Sequence, residues 1–334
     1  MKSNSPPEKA AFPLTTFSLI RGGLGAMVGI LALIFMLHEV DLQAVWVVLK
    51  SAHWGFVGLG LASVGMNYFS KVFRWRVLLG ESAPKTSFIS LMAAVLLGQL
   101  LNFLVPGRFG DFARALIVGG KTGRAFTLGT VALEKGVETL AFALLILSLL
   151  LWMPLPSWLE ISPWFLILVV GTGCVMLAGA VHYSENISAV FVRAAGYIPS
   201  RISQRILSPL QTGFGSIRVL GERKNLFQIL WLTGVVWGTA LFNNYIGMRA
   251  LGIELPFSVA VLLLIGLQIG IVVAASPAGM GIFEAICVYT LVFFGVDRTV
   301  ALGFGILLHA LVLVPQIVGG IWALAWWGFR LSPA

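Results

Sequence analysis

The chain has 334 residues, of which 58% are hydrophobic and only 10% charged, with a mean hydropathy of +0.96. A soluble domain carries about 25% charge, so the composition reads as an integral membrane protein with no room for a large soluble catalytic domain. The net charge of +9 and pI near 9.9 then place Lys and Arg in cytoplasmic loops against anionic lipid head groups rather than on nucleic acid.

Residues 1–18, with Pro6, Pro7 and Pro13, form a polar N-terminal tail. The apolar run 19–38 ends in His38, Glu39 and Asp41 with no small-x-small cleavage site, which predicts an uncleaved span. Further spans are predicted at 54–73, 126–152, 163–183, 225–248 and 299–327, each near the roughly 20 apolar residues that cross a bilayer. Between them, 86–121 and 257–296 are interrupted by VPGRFG and SPAGMG. Each is either one span plus a surface helix or a hairpin that leaves on the side it entered. Cys174 and Cys287 both lie in apolar runs, and their spacing points to neither a disulfide nor a metal site.

Basic residues decide between these topologies. The tail carries Lys2, Lys9 and Arg21, and the segment 71–85 carries Lys71, Arg74, Arg76 and Lys85. The segment 184–224 carries Arg193, Arg201, Arg205, Arg218, Arg223 and Lys224, whereas loops 39–53 and 153–162 are poor in cations. The basic segments alternate with poor ones, as orientation by positive charge requires, only if 86–121 is a hairpin. The same logic makes 257–296 a hairpin from the opposite side, with both termini cytoplasmic. The predicted fold is all-α and polytopic, in two inverted-topology halves, each of three transmembrane helices plus a broken re-entrant helical hairpin. The first repeat is 19–152 and the second 163–329, joined by a cytoplasmic linker at 184–224 that reads as a surface helix. Echoes support the repeat: PGRFGDF at Pro106 against PAGMGIF at Pro277, and Asn67-Tyr68 against Asn244-Tyr245.

The broken hairpins carry the candidate chemistry. After Pro106-Gly107 a new helix starts, and its free N–H groups and positive dipole end suit an anion. Arg108 adds a full charge and can hold phosphate through two parallel hydrogen bonds. Asp111 suits the helix start, with pairing to Arg114 or Arg108 as a further option; of the three charges, Arg114 is the one best suited to being only a head-group anchor. A charge at the bilayer centre costs about 3 kcal/mol, so these residues face a polar interior or sit in a shallow hairpin at the surface. Glu134 and Glu138, at i and i+4, share a helix face. They either move protons, hold a cation or hold the hairpin arginines, or they pair with Lys135 or Arg124 at the interface. Glu284, after SPAGMGIF, either caps its own helix or touches substrate. His309 is either a packed, hydrogen-bonded side chain or a proton relay, and Lys71, Arg74 and Arg76 read most simply as anchors, with contact to a lipid phosphate as a secondary option. The substrate-binding candidates are Asn102, Pro106, Gly107, Arg108, Gly110, Asp111, Arg114, Glu134, Glu138, Pro277, Gly279, Gly281 and Glu284. No Walker, GxSxG, HExxH or paired-Cys pattern occurs, so no cofactor, metal or catalytic residue is expected.

Four stretches, in order, resemble the lysylphosphatidylglycerol synthase transmembrane region, the flippase-like UPF0104 family. They are Asn67 to Leu79 ending in FRWRVLL, NFLVPGRFGDFARA, Glu134-Lys135-x-x-Glu138, and SPAGMGIFEA, and they span most of residues 20–328. The resemblance implies a domain of a bacterial inner membrane that moves an anionic or isoprenoid-linked lipid between leaflets and is not an enzyme. The alternative is a non-transporting accessory subunit; a third option uses Glu134 and Glu138 as acid and base on a lipid-linked sugar. The partners implied are membrane lipid, a separate lipid synthase or glycosyltransferase, and a homodimer, with no nucleic acid. The chain ends at Ala334, so the synthase activity of fused relatives is not carried over. Two departures stand out: Gly110-Asp111 where the family usually has Gly-Glu, and Glu134-Lys135 where Glu-Arg is commoner.

Overall fold

The computed structural model describes residues 41–81, 86–104, 109–150, 163–182, 213, 215–274 and 277–331, with Met27 and Leu31 besides. The tail, the rest of the first predicted span at 19–38, the loop 153–162 and the linker residues 183–212 lie outside the described residues. Within them the helices are α1 Leu42–Lys50, α2 Trp54–Leu79, α3 Phe88–Leu104, α4 Phe109–Thr122, α5 Arg124–Leu150, α6 Pro163–His182, α7 Arg223–Ala250, α8 Phe257–Ala274, α9 Ile282–Phe293 and α10 Arg298–Leu331. Short 3₁₀ turns run over Gly215–Gly221 and Pro277–Gly279.

These bounds agree with the predicted spans to within a few residues at most ends, because long apolar runs leave the backbone no alternative to intrahelical hydrogen bonding in lipid. Helix α7, at 28 residues, and Arg298–Gly328 of α10, at 31, are long and apolar enough to cross a bilayer. The loop expected at 39–53 is a correction. It holds helix α1, whose N-terminus is capped by Asp41 accepting a hydrogen bond from Gln43 N–H at 2.8 Å. Its axis meets that of α2 at 85°.

Both interrupted stretches are helix pairs. Helices α3 and α4 cross so closely that a Cβ on Gly110 would stand 1.8 Å from the carbonyl oxygen of Gly98. Only glycine permits that approach. Helices α8 and α9 pack likewise, with Gly270 under Ile286. The second break is a tight backbone turn, with φ of 64° at Ala278, 70° at Gly279 and 81° at Gly281. Ala278 is the one non-glycine residue with positive φ among the described residues.

Helices α2 and α7 form the central pair. Gly60 and Ser63 lie by Asn243, Asn67 by Val236 and Thr239, and Arg74 by Thr233. Numbers rise along one helix as they fall along the other, so the two run antiparallel. One apolar core, including Val72, Trp75, Leu91, Ala115 and Val137, is built mainly from α2 to α5. A second, including Met248, Leu263, Cys287, Phe304 and Leu308, lies among α7 to α10. Helix α10 crosses between them: Gly319 and Gly320 lie against Leu96 and Leu100 of α3, and Gln316 donates to the carbonyl of Gln99 at 2.6 Å. The turn Pro277–Gly279 packs against α3 as well.

Candidate functional site: a charged cavity between the helix pairs

A cavity of about 1390 Å³ is lined by helices from both ends of the chain. One end is charged, with Lys71, Asp111, Arg114, Glu134, Lys135 and Glu138 in its wall. The other end carries Gln268, Ala278, Gly279, Phe283, His309 and Gln316. Between them lie Ser63, Asn67, Asn102, Asn243 and Asn244.

The charged end is organised around Glu134, which is 2% exposed. Its Oε1 accepts from Arg74 at 2.8 Å and its Oε2 from Arg114 at 2.9 Å. Arg74, fully buried, also pairs with Glu138 and donates to Thr233 of α7 at 3.2 Å. Arg114 pairs with Asp111 at 3.2 Å and lies over the Trp75 ring at 4.8 Å. Lys135 joins Glu138 at 2.9 Å to Asp111 at 3.4 Å. Buried charges persist only when paired and hydrogen-bonded; each ion of this network is paired, while the Nε atoms of Arg74 and Arg114 are buried with no hydrogen-bond partner. The network ties α2, α4 and α5 together and reaches α7 through Thr233. Lys71 stands apart: among the described residues no carboxylate lies within ion-pair distance of it, and its ammonium rests 5.8 Å from the Tyr68 ring centre. With Arg74, Arg114 and Lys135 against Asp111, Glu134 and Glu138, Lys71 leaves this end one positive charge in excess.

Several expectations change here. Arg114 is not a head-group anchor: it is 4% exposed and bridges the hairpin to Glu134. Arg74 is not an anchor either, whereas Arg76, two residues on, is exposed. Glu134 holds a hairpin arginine, Arg114, and also Arg74; Glu138 takes Arg74 and Lys135, and among the described residues neither pairs with Arg124. Asp111 finds Arg114. Pro106, Gly107 and Arg108 lie outside the described residues. The start of α4 is partly satisfied from within, because Asn102 Oδ1 accepts from Gly110 N–H at 2.8 Å. Glu284 caps α9 by accepting from Gly281 N–H at 2.7 Å, and His309 is a buried, hydrogen-bonded residue. Pro277 and Gly279 form the second break, and Gly279 and Ala278 face the cavity.

Sequence reasoning missed Trp75, and it read Lys71 and Arg74 as anchors first and as lipid-phosphate contacts only second. The signal available was the demand side: two carboxylates on one apolar helix face require cations, and Arg74 lies on an adjacent span.

The family profile described as the lysylphosphatidylglycerol synthase TM region matches residues 22–320. The chain belongs to this family of membrane-embedded proteins. Among proteins of known sequence it is similar to the UPF0104 membrane protein PH1989 of Pyrococcus horikoshii, with 17% identity over 88% of this chain and 94% of that one. It is also similar to the glycosyltransferase AglD of Haloferax volcanii, with 22% identity over 89% of this chain. The chain spans about half of AglD, 53% of its length.

Proposed function

We propose that the protein is a lipid translocator, flippase-like, that carries the head group of an anionic phospholipid or isoprenoid-linked lipid through the cavity while the acyl chains stay in the bilayer. The observation that carries this reading is a large cavity among the described residues, with polar and charged side chains set in a mostly apolar wall, a lysine outside the ion-pair network at one end, and the second helix break and residues flanking the first in its lining. Irregular backbone at membrane depth is tolerated where it lines a wet cavity, and transporters with inverted repeats place their sites where broken helices of the two halves meet. The antiparallel pairing of α2 with α7 supports such an inversion, with repeats at 19–152 and 163–329 and re-entrant hairpins at 86–121 and 257–296. In this reading the protein sits in the inner membrane with both termini cytoplasmic. Lys71 binds the phosphate and Lys135 flanks it. Asp111, Arg114, Glu134 and Glu138 hold the wall in place. Glu134 is bound by two arginines at once, which supports carriage over acid–base catalysis.

Mass spectrometry of lipid retained by the purified chain tests the head-group assignment. Anionic lipid bound to the wild type, and about tenfold less to Lys71→Gln, about 1.4 kcal/mol, is the expected result; retention of zwitterionic lipid alone contradicts it. The likeness to a glycosyltransferase over half of that protein's length favours a second reading, a lipid-binding subunit serving a separate lipid-modifying enzyme. Deletion separates the two. Loss of a transporter leaves its lipid in the wrong leaflet, whereas loss of an accessory subunit depletes the modified product itself.

A further inference from the structure

At the uncharged end of the cavity, Glu284 of α9 and His309 of α10 are 7% and 8% exposed. Each ring nitrogen of His309 faces an oxygen. Nδ1 lies 2.6 Å from Glu284 Oε1, and Nε2 lies 3.1 Å from the backbone oxygen of Ala278. The second carboxylate oxygen is committed to Gly281 N–H, and the ring stacks on Phe283 with centres 4.4 Å apart.

A backbone carbonyl only accepts, so Nε2 carries hydrogen. The Nδ1–Oε1 contact then needs a second one, supplied by the ring as an imidazolium or by the carboxyl group. Both descriptions hold the same number of protons, one more than a neutral imidazole beside a carboxylate. Removing that proton sets two lone pairs face to face, against Oε1 or, after tautomer exchange, against Ala278 O. One of the two contacts must then open.

We propose that Glu284 and His309 together form a proton-binding site, that the bound proton holds the second helix break against α10, and that this proton is the coupling ion for passage through the cavity. The last part rests on the translocator reading; the site itself does not. The contact to Ala278 has leverage because that residue sits at φ 64°, a conformation that costs a side-chain-bearing residue energy and persists only where its surroundings impose it. Releasing His309 frees a turn that packs against α3 and lines the cavity through Ala278 and Gly279. His309 lines the same cavity, so the proton leaves to water there. The titratable neighbour on α9 is Cys287, held with Glu284 against Gly305 of α10. From α3 and α8 the cavity-facing groups nearby are the neutral Gln99 and Gln268. The charged cluster on α2, α4 and α5 occupies the other end.

The test uses the full chain in vesicles of phosphatidylethanolamine and phosphatidylglycerol, as wild type, Glu284→Gln and His309→Gln. In infrared spectra taken across a pH step, subtracting either variant from the wild type leaves a carboxylate and an imidazole change that appear together and are the same for both variants. A difference that holds only one of the two bands, or none, overturns the shared site. Should a variant fail to fold, the ¹⁵N spectrum of wild-type His309 decides: two hydrogen-bonded ring nitrogens support the site, and one bare nitrogen overturns it. In the same vesicles, acyl-labelled phosphatidylglycerol under an imposed pH gradient reports coupling. One proton per lipid shifts the leaflet ratio about tenfold per pH unit, equivalent to about 1.4 kcal/mol, and His309→Gln abolishes that dependence on the gradient. A wild-type ratio indifferent to the gradient overturns the coupling. No lipid movement at all, with the infrared change intact, overturns the translocator reading and leaves the proton site standing.

Discussion

Arg74 and Lys71 lie one turn apart on α2 and do opposite work. Arg74 is fully buried between Glu134, Glu138 and Thr233, and is part of what holds α2 to α5 and α7. Removing one member of such a cluster strands a buried charge, at a cost of about 3–5 kcal/mol. Arg74→Met is therefore expected to lower the thermal midpoint in detergent sharply, and a double Arg74→Met, Glu134→Gln variant to recover part of it; equal losses in the single and double variants contradict the pairing. Lys71→Gln removes no ion pair, so its midpoint should stay within about 0.5 kcal/mol of wild type while anionic lipid binding falls. At this scale the sequence was legible in part. The i, i+4 spacing put Glu134 and Glu138 on one face, and the Gly281–Glu284 cap was readable from its position after the break. The arginines were not, because orientation by positive charge explains any cation near a helix end and so conceals one that turns inward.

The breaks were the most legible elements. Proline and glycine in mid-run have few uses in a membrane helix, and both interruptions prove to be helix pairs. What the sequence did not indicate is how close the first pair comes. Gly110 lies under the Gly98 carbonyl with no space for a methyl group, whereas Gly136 has nothing within 4 Å. Gly110→Ala is expected to force α3 and α4 apart, lowering the yield of folded protein severalfold by size-exclusion chromatography, with Gly136→Ala unaffected. Equal yields would mean that the crossing is looser than described. The stretch 39–53 reads as a loop in the sequence because Glu39, Asp41 and Lys50 punctuate it. In the fold Asp41 is the cap of a short helix and Val45 anchors it in the second core.

Over the whole molecule, charge alternation and short echoes carried the expectation of two inverted halves, but no local pattern could say which helices would touch. The contacts that shape the cavity join distant parts of the chain: Asn67 with α7, Gln316 with α3, and the second break with α3. They place a lysine without a carboxylate partner in a chamber that both helix pairs wall in. The central claim is that an anionic head group crosses through this chamber. Its most direct test is the leaflet-resolved transfer rate of acyl-labelled phosphatidylglycerol and phosphatidylethanolamine in vesicles holding the purified chain. The account predicts transfer of the anionic lipid well above protein-free vesicles, little for the zwitterionic one, and at least about a tenfold loss in Lys71→Gln, about 1.4 kcal/mol of lost stabilisation. Equal rates for both lipids, or an unchanged rate in a folded Lys71→Gln protein, would contradict it.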